Sequence, residues 1–228
     1  MSLISKVYII HYTKLVERKA HMLDQIKQWF PNIEYKFLED LDQEELTDEI
    51  IEKNFDIKKF RDRFDRDMLR SEMSLCMKYK KAVSEIASIR DGEDFFILED
   101  DVIFKEDPLS YIDSMYKFCD SYKINYDCVF LGEAWIRKGD DRDIFAKKKY
   151  PSTNGLCTVL YKKASLQKLN NLLQKNKISQ PMDWELNDRF EELNFEVYWG
   201  KAITKHGSVS ASQGEGFDFL KSSLRESY

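Results

Sequence analysis

The stretch that most constrains this chain is Phe95-Phe96-Ile97-Leu98-Glu99-Asp100-Asp101, four apolar residues that run straight into three acids. Entered through Asp91-Gly92, the apolar run is too short for a helix core. It predicts a strand buried on both faces, and so a sheet with helices above and below. The acids then fall at the strand's carboxyl end. In open α/β sheets the ligand crevice lies outside the carboxyl ends of the strands, so these carboxylates are placed to meet a ligand. Three adjacent carboxylates repel one another, and a divalent cation relieves that repulsion. Oxygen ligands suit Mn²⁺ or Mg²⁺, with a metal-bound diphosphate as the natural guest. Acid triplets also serve as turns and helix caps, and the spacing alone leaves both readings open.

The flanking pattern supports an α/β domain. Lys6 to His11 reads as a first strand, Lys14 to Phe30 as a helix with Leu15, Met22, Leu23, Ile26 and Trp29 or Phe30 on its apolar face, and Ile33 to Leu38 as a second strand. The right-handed crossover rule makes these strands parallel neighbours. Residues 39–67 are dense in mixed charge with Ile50, Ile51, Phe55, Phe60 and Phe64 interleaved, which predicts short surface helices over the sheet edge. Met68 to Arg90 is a long helix, Pro108 to Tyr122 another, and Asp127 to Gly132 a buried strand. Arg137 to Lys149 has no periodicity and reads as a loop. Thr153 to Tyr161 is a strand, Lys163 to Asn176 a helix, Pro181 the start of a further helix, and Glu196 to Gly200 and Ala202 to Lys205 two short late strands. The tail from Gln213 is expected to wrap the surface.

Several residues carry possible chemistry beside a plainer role. Thr13 and Arg18 sit at the mouth of the first strand, where a base and ribose commonly lodge; a helix cap and a surface arginine would equally explain them. Ser71, Ser74 and Lys78 align along the long helix without acids at i+4, which favours a ligand face over a solvated one. Asp183, in the first turn of its helix, feels the dipole that keeps it ionised and able to take a proton. Glu185 lies about 200° away from it around the helix, so the two acids do not share one site. His206 follows a strand beside Gly207 and is either a metal ligand or an ordinary histidine.

Composition narrows the function classes. Thirty-six basic and 41 acidic residues are interspersed along 228, with no basic block to neutralise a nucleic-acid backbone, so nucleic acid is not an expected partner. No apolar run reaches the length of a membrane span, and the first ten residues lack the pattern of a secretory signal. Cys76, Cys119, Cys128 and Cys157 are dispersed, which argues against a zinc site or disulfide framework and for a reduced, cytoplasmic setting.

In collinear order, Ser71-Glu72-Met73-Ser74-Leu75 with Lys78, Ile97-Leu98-Glu99-Asp100-Asp101-Val102, Leu131-Gly132, Thr153-Asn154-Gly155, Pro181 to Asn187, and Val197-Tyr198-Trp199 with His206-Gly207-Ser208 resemble glycosyltransferase family 25. That family contains lipooligosaccharide glycosyltransferases and procollagen galactosyltransferases, and the chain also resembles related viral glycosyltransferases. The resemblance implies a single GT-A-type, Rossmann-like domain over residues 1–210, with a mixed, mostly parallel sheet flanked by helices and residues 211–228 as a tail. It implies Mn²⁺ or Mg²⁺, a UDP-sugar donor, a glycan or glycoprotein acceptor, and inversion at the anomeric carbon. By position, Asp101 and His206 would hold the metal and Asp183 would be the catalytic base. Thr13, Arg18, Ser74, Lys78, Glu99, Asp100 and Asn154 would line the nucleotide-sugar. Leu75 where the family often has cysteine, Tyr79 where it often has histidine, and the lack of a proline near Lys201-Ala202 depart from its pattern. A sheet that has kept nucleotide-sugar binding without turnover, and a two-metal phosphohydrolase or nucleotidyltransferase, are the competing functions.

Overall fold

In the computed structural model, which describes residues 4–132, 145–147 and 155–207, the chain opens with β1 (Ile4–Ile10), α1 (Val16–Trp29) and β2 (Glu34–Leu38). Short helices α2 (Asp48–Asn54) and α3 (Ile57–Phe64) lead to the long α4 (Arg70–Ser88). The acid-tipped run is β3 (Asp94–Glu99), followed after two residues by β4 (Val102–Phe104). Then come α5 (Pro108–Ser121), β5 (Cys128–Gly132), β6 (Phe145–Lys147), β7 (Thr158–Lys162), α6 (Lys163–Lys175), α7 (Met182–Glu192) and β8 (Val197–His206).

The strands form one sheet in the order β2-β1-β3-β7-β5-β8-β4, with β6 added on β8. Alternation along β3 sends Phe95 and Ile97 to the face covered by α4, α6 and α7, and Phe96 and Leu98 to the face covered by α1 and α5. All four are buried, as a strand covered on both sides requires. The sheet is mixed. Its parallel pairs are β1 with β2, β1 with β3, and β5 with β8, while β7 runs against both of its neighbours. Within residues 39–67 the helices are α2 and α3. Phe55 and Phe60 of this stretch are buried in the α4-side core, and Phe55 bridges to Ile178.

Three sequence expectations change. The two late strands are one ten-residue strand, β8. The interruption at Gly200-Lys201 marks an irregularity where β8 exchanges one neighbour, β6, for another, β4. Part of the expected loop, Phe145–Lys147, pairs with β8 as β6; three residues are too few for a periodic signal. Thr13 is not the cap of α1: Leu15 holds that position, without a side-chain cap bond. The tail beyond 207 lies outside the described residues.

The buried side of α1 is less apolar than its pattern suggested, with Arg18 and Gln25 beside Met22 and Ile26. Gln25 has a structural task. Its amide donates to the Val102 carbonyl (2.5 Å) and accepts from the Phe104 N–H (2.7 Å), so it completes the outer edge of β4 as a neighbouring strand would. Replacing Gln25 with Leu leaves the Phe104 N–H unpaired in the core and the Val102 carbonyl with His21 alone. It should cost roughly 1–3 kcal/mol for the unpaired Phe104 N–H. Urea denaturation would read this as a lower midpoint, with exposed Gln28→Leu as the unaffected control.

Candidate active site

The acid triplet is a turn between two strands that lie far apart in the sheet order. Its backbone is pinned on both sides: the Glu99 N–H donates to the Cys157 carbonyl (3.0 Å), and the Gly207 N–H donates to the Asp101 carbonyl (2.7 Å). Glu99 and Asp101 are two apart and converge on His206. Asp101 Oδ2 lies 3.1 Å from His206 Nδ1, and Glu99 Oε2 lies 3.4 Å from Nε2. One ligand atom from each of the three falls within 4.8 Å of the others. Two carboxylates and an imidazole are a donor set that suits Mn²⁺ and Mg²⁺ on the oxygen side and Mn²⁺ on the nitrogen side. The residues present fit a divalent cation.

Asp100 points elsewhere. Its carboxylate accepts from Arg18 Nη1 (2.8 Å), pairs with His11 Nδ1 (2.7 Å), and is approached by the Tyr12 N–H (3.4 Å). Arg18, His11 and Asp100 itself are all buried. Thus Arg18 and Asp100, both expected to line the nucleotide, are brought together and bond each other.

A second buried network sits at the ends of β1 and β2. Lys78 reaches from α4 to donate to Asp42 and to the His11 carbonyl, and Asp42 also accepts from the Thr13 hydroxyl and N–H. Ser74 donates to the carbonyl of Leu41, a residue held at φ 66°. Thr13, Ser74 and Lys78 are therefore gathered on one turn, 41–42, whose Asp42 the sequence reading passed over. Ser71 Oγ is buried without a hydrogen-bond partner among the described residues. Asn154 lies outside the described residues.

Asp183 opens α7. Its carboxylate accepts the Gly155 N–H (3.1 Å) on Oδ2 and the Trp184 N–H (3.0 Å) on Oδ1. Gly155 holds φ 125°, which a side chain would resist, so glycine sets the angle from which this N–H reaches Asp183. Burial raises the Asp183 pKa, the two backbone donors oppose it, and the charge of Glu99 adds to the rise, leaving the carboxyl at about 6. Glu185 is buried on another side of the helix and pairs with Arg189, so the two acids do part as the helical spacing required.

Sequence reasoning placed Asp101 and His206 together but assigned Glu99 to the nucleotide. The turn after β3 brings Glu99 to the same histidine as Asp101. His11 was missed, although Ile10 pairs in register with Glu99 and so sets residue 11 beside residue 100.

The sequence profile described as "Glycosyltransferase family 25 (LPS biosynthesis protein)" matches residues 4–152, well over half of the chain. A search of curated proteins finds no match. Among solved structures, A197 from STIV is 12% identical with a TM-score of 0.40, over 87% of this chain and 83% of that one. A glycosyltransferase involved in glycosylation of the major capsid of PBCV-1 is 14% identical with a TM-score of 0.36, over 75% and 66% of the two chains. The galactosyltransferase LgtC is 9% identical with a TM-score of 0.42, over 85% and 72%.

Burial opposes a charge on His206, but the neighbouring carboxylates, Asp101 foremost, outweigh it and raise the imidazole pKa to about 10. A folded value above the unfolded one, near 6.5, means stabilisation that is complete below about pH 6.5 and lost as pH rises through about 10. Metal-free protein should therefore lose on the order of a few kcal/mol across that window. His206→Asn should flatten the loss, as read by denaturant midpoints at successive pH values.

Proposed function

Because the chain belongs to glycosyltransferase family 25, we propose that it moves a sugar from a UDP-sugar to a hydroxyl of a glycan or glycoprotein acceptor, with Mn²⁺ or Mg²⁺ held by Glu99, Asp101 and His206. The observation that carries this reading is the meeting of those three ligands at the end of β3, close enough to Asp183 for the Glu99 charge to act on it. When bound, the cation would offset charge on the diphosphate leaving group.

The chain's own residues take the remaining tasks. Asp183 is the base. Its pKa of about 6 leaves it ionised at neutral pH yet basic enough to accept the acceptor hydroxyl's proton as that oxygen attacks the anomeric carbon. The Gly155 and Trp184 N–H groups fix the carboxylate's orientation. The nucleotide lies over the ends of β1 and β2, on the turn that Thr13, Ser74 and Lys78 hold through Asp42 and Leu41. Displacement is direct and inverts the anomeric centre, since a single base on the acceptor side suffices for it. A cytoplasmic setting accompanies this reading; Cys76, Cys119, Cys128 and Cys157 are all free and buried. No helix among the described residues is long and apolar enough to cross a membrane.

Calorimetric titration with UDP, with and without Mn²⁺, tests the donor, with GDP, CMP and AMP as comparisons. UDP binding that requires Mn²⁺ is expected, and no binding of any nucleotide would overturn the donor assignment. Asp101→Ala should abolish metal-dependent turnover with the fold intact. Asp183→Asn should keep donor binding while kcat falls about 10²–10⁴-fold, and it should remove the rise in kcat through about pH 6 that the wild type shows. Loss of donor binding in Asp183→Asn would move this residue to the nucleotide side. NMR of the first-formed anomer would read the stereochemistry.

A further inference from the structure

The acid turn is held at three points, and only two are backbone bonds. Glu99 is tied to β7 through its N–H, and Asp101 to the end of β8 through its carbonyl. The third is the side chain of Asp100, gripped from the opposite direction by Arg18 of α1 and His11 at the end of β1. We propose that Arg18 and His11 are positioning residues for the metal site: by holding Asp100 back against β1 they oblige Glu99 and Asp101 to face His206 together.

Four observations carry this. First, at the turn the middle acid and its two neighbours go to different partners: Asp100 is held by Arg18 and His11 while Glu99 and Asp101 both reach His206, so release of Asp100 would free the turn that sets the other two. Second, the grip is buried and two-handed. Arg18 engages Oδ1 and His11 engages Oδ2, with the three side chains no more than 8% exposed. A carboxylate held through both oxygens cannot rotate to present either to a ligand. Third, the polar function of His11 is directed at Asp100. Its Nδ1 makes that bond, while Nε2 is buried without a hydrogen-bond partner among the described residues. Fourth, the guanidinium offsets one of three adjacent negative charges, so only two carboxylates remain for the cation side. This assignment rests on the proposed metal site, and it removes Arg18 and Asp100 from the nucleotide contacts that the sequence alone suggested.

The test uses Mn²⁺ alone, its binding followed by the loss of the free-ion electron paramagnetic resonance signal, with the protein's thermal midpoint measured alongside. Wild type should bind Mn²⁺ and Asp101→Ala should not. Asp100→Asn, Arg18→Met and His11→Phe should each weaken Mn²⁺ binding at least tenfold in folded protein, although none of these residues is a ligand. Arg18→Lys should recover part of the affinity, because it restores the charge but not the fork. Should Arg18→Met fail to fold, His11→Phe and Arg18→Lys still decide the matter. Unchanged Mn²⁺ affinity in those folded variants, with UDP affinity lowered instead, would overturn the positioning role and make these residues nucleotide contacts. Failure of wild type to bind Mn²⁺ would instead remove the metal site itself, and the positioning role with it.

Discussion

The structure depends on how it accommodates three adjacent carboxylates at the end of a fully buried strand. The apolar run Phe95–Leu98 must stay between two helical layers, so it fixes where Glu99, Asp100 and Asp101 emerge. Left together, three negative charges at partial burial would be strongly unfavourable. The fold separates them. One is turned back to Arg18 and His11, and the other two are turned towards His206. All three histidines of the chain lie around this turn, since His21 approaches the Val102 carbonyl at 3.1 Å. Buried ion pairs add little net stability because desolvation offsets their attraction, so geometry is the better account of why Arg18 and Lys78 are buried at neighbouring positions on the same crest.

Much of the fold could be read from periodicity, because period-two and period-3.6 patterns are imposed by burial itself. The run at 95–98, the first β-α-β unit and the long helix α4 follow from apolar spacing alone. Failures occurred where a side chain does a backbone's work or where a strand changes partner. Gln25 lies on the buried face of α1 because it completes the edge of β4, a task no hydropathy pattern records. The irregularity in β8 reads as a gap because Gly200 and Lys201 interrupt the apolar sequence while the chain continues across the sheet.

The nearness of Asp101 to His206 was legible because both stand at strand ends. The site was not legible where the decisive fact is a partner distant in sequence. Arg18 and Asp100 are 82 residues apart, and Lys78 and Asp42 are 36 apart. Each of these residues was assigned to a ligand or to the surface because its charge was visible and its counter-charge was not. Asp42 was hidden further by its setting in a stretch of mixed charge, where one buried carboxylate has no pattern to distinguish it.

The two halves of the site have different standing in the sequence. The acid turn falls inside the stretch matched by the family profile, residues 4–152, whereas Asp183 and His206 fall beyond it. His206 is placed by the pairing of β8 with β4, and Asp183 is tied to the turn through the entry to β7. Gly155 donates its N–H to Asp183, and two residues later the Cys157 carbonyl accepts from Glu99. One short piece of backbone therefore ties the proposed base to the proposed metal turn. Since β7 is paired along its length with β3, that piece is registered against the same strand that carries the acids. A shift of β7 would move both anchors together, so the proposed base and the proposed metal turn are positioned through one strand.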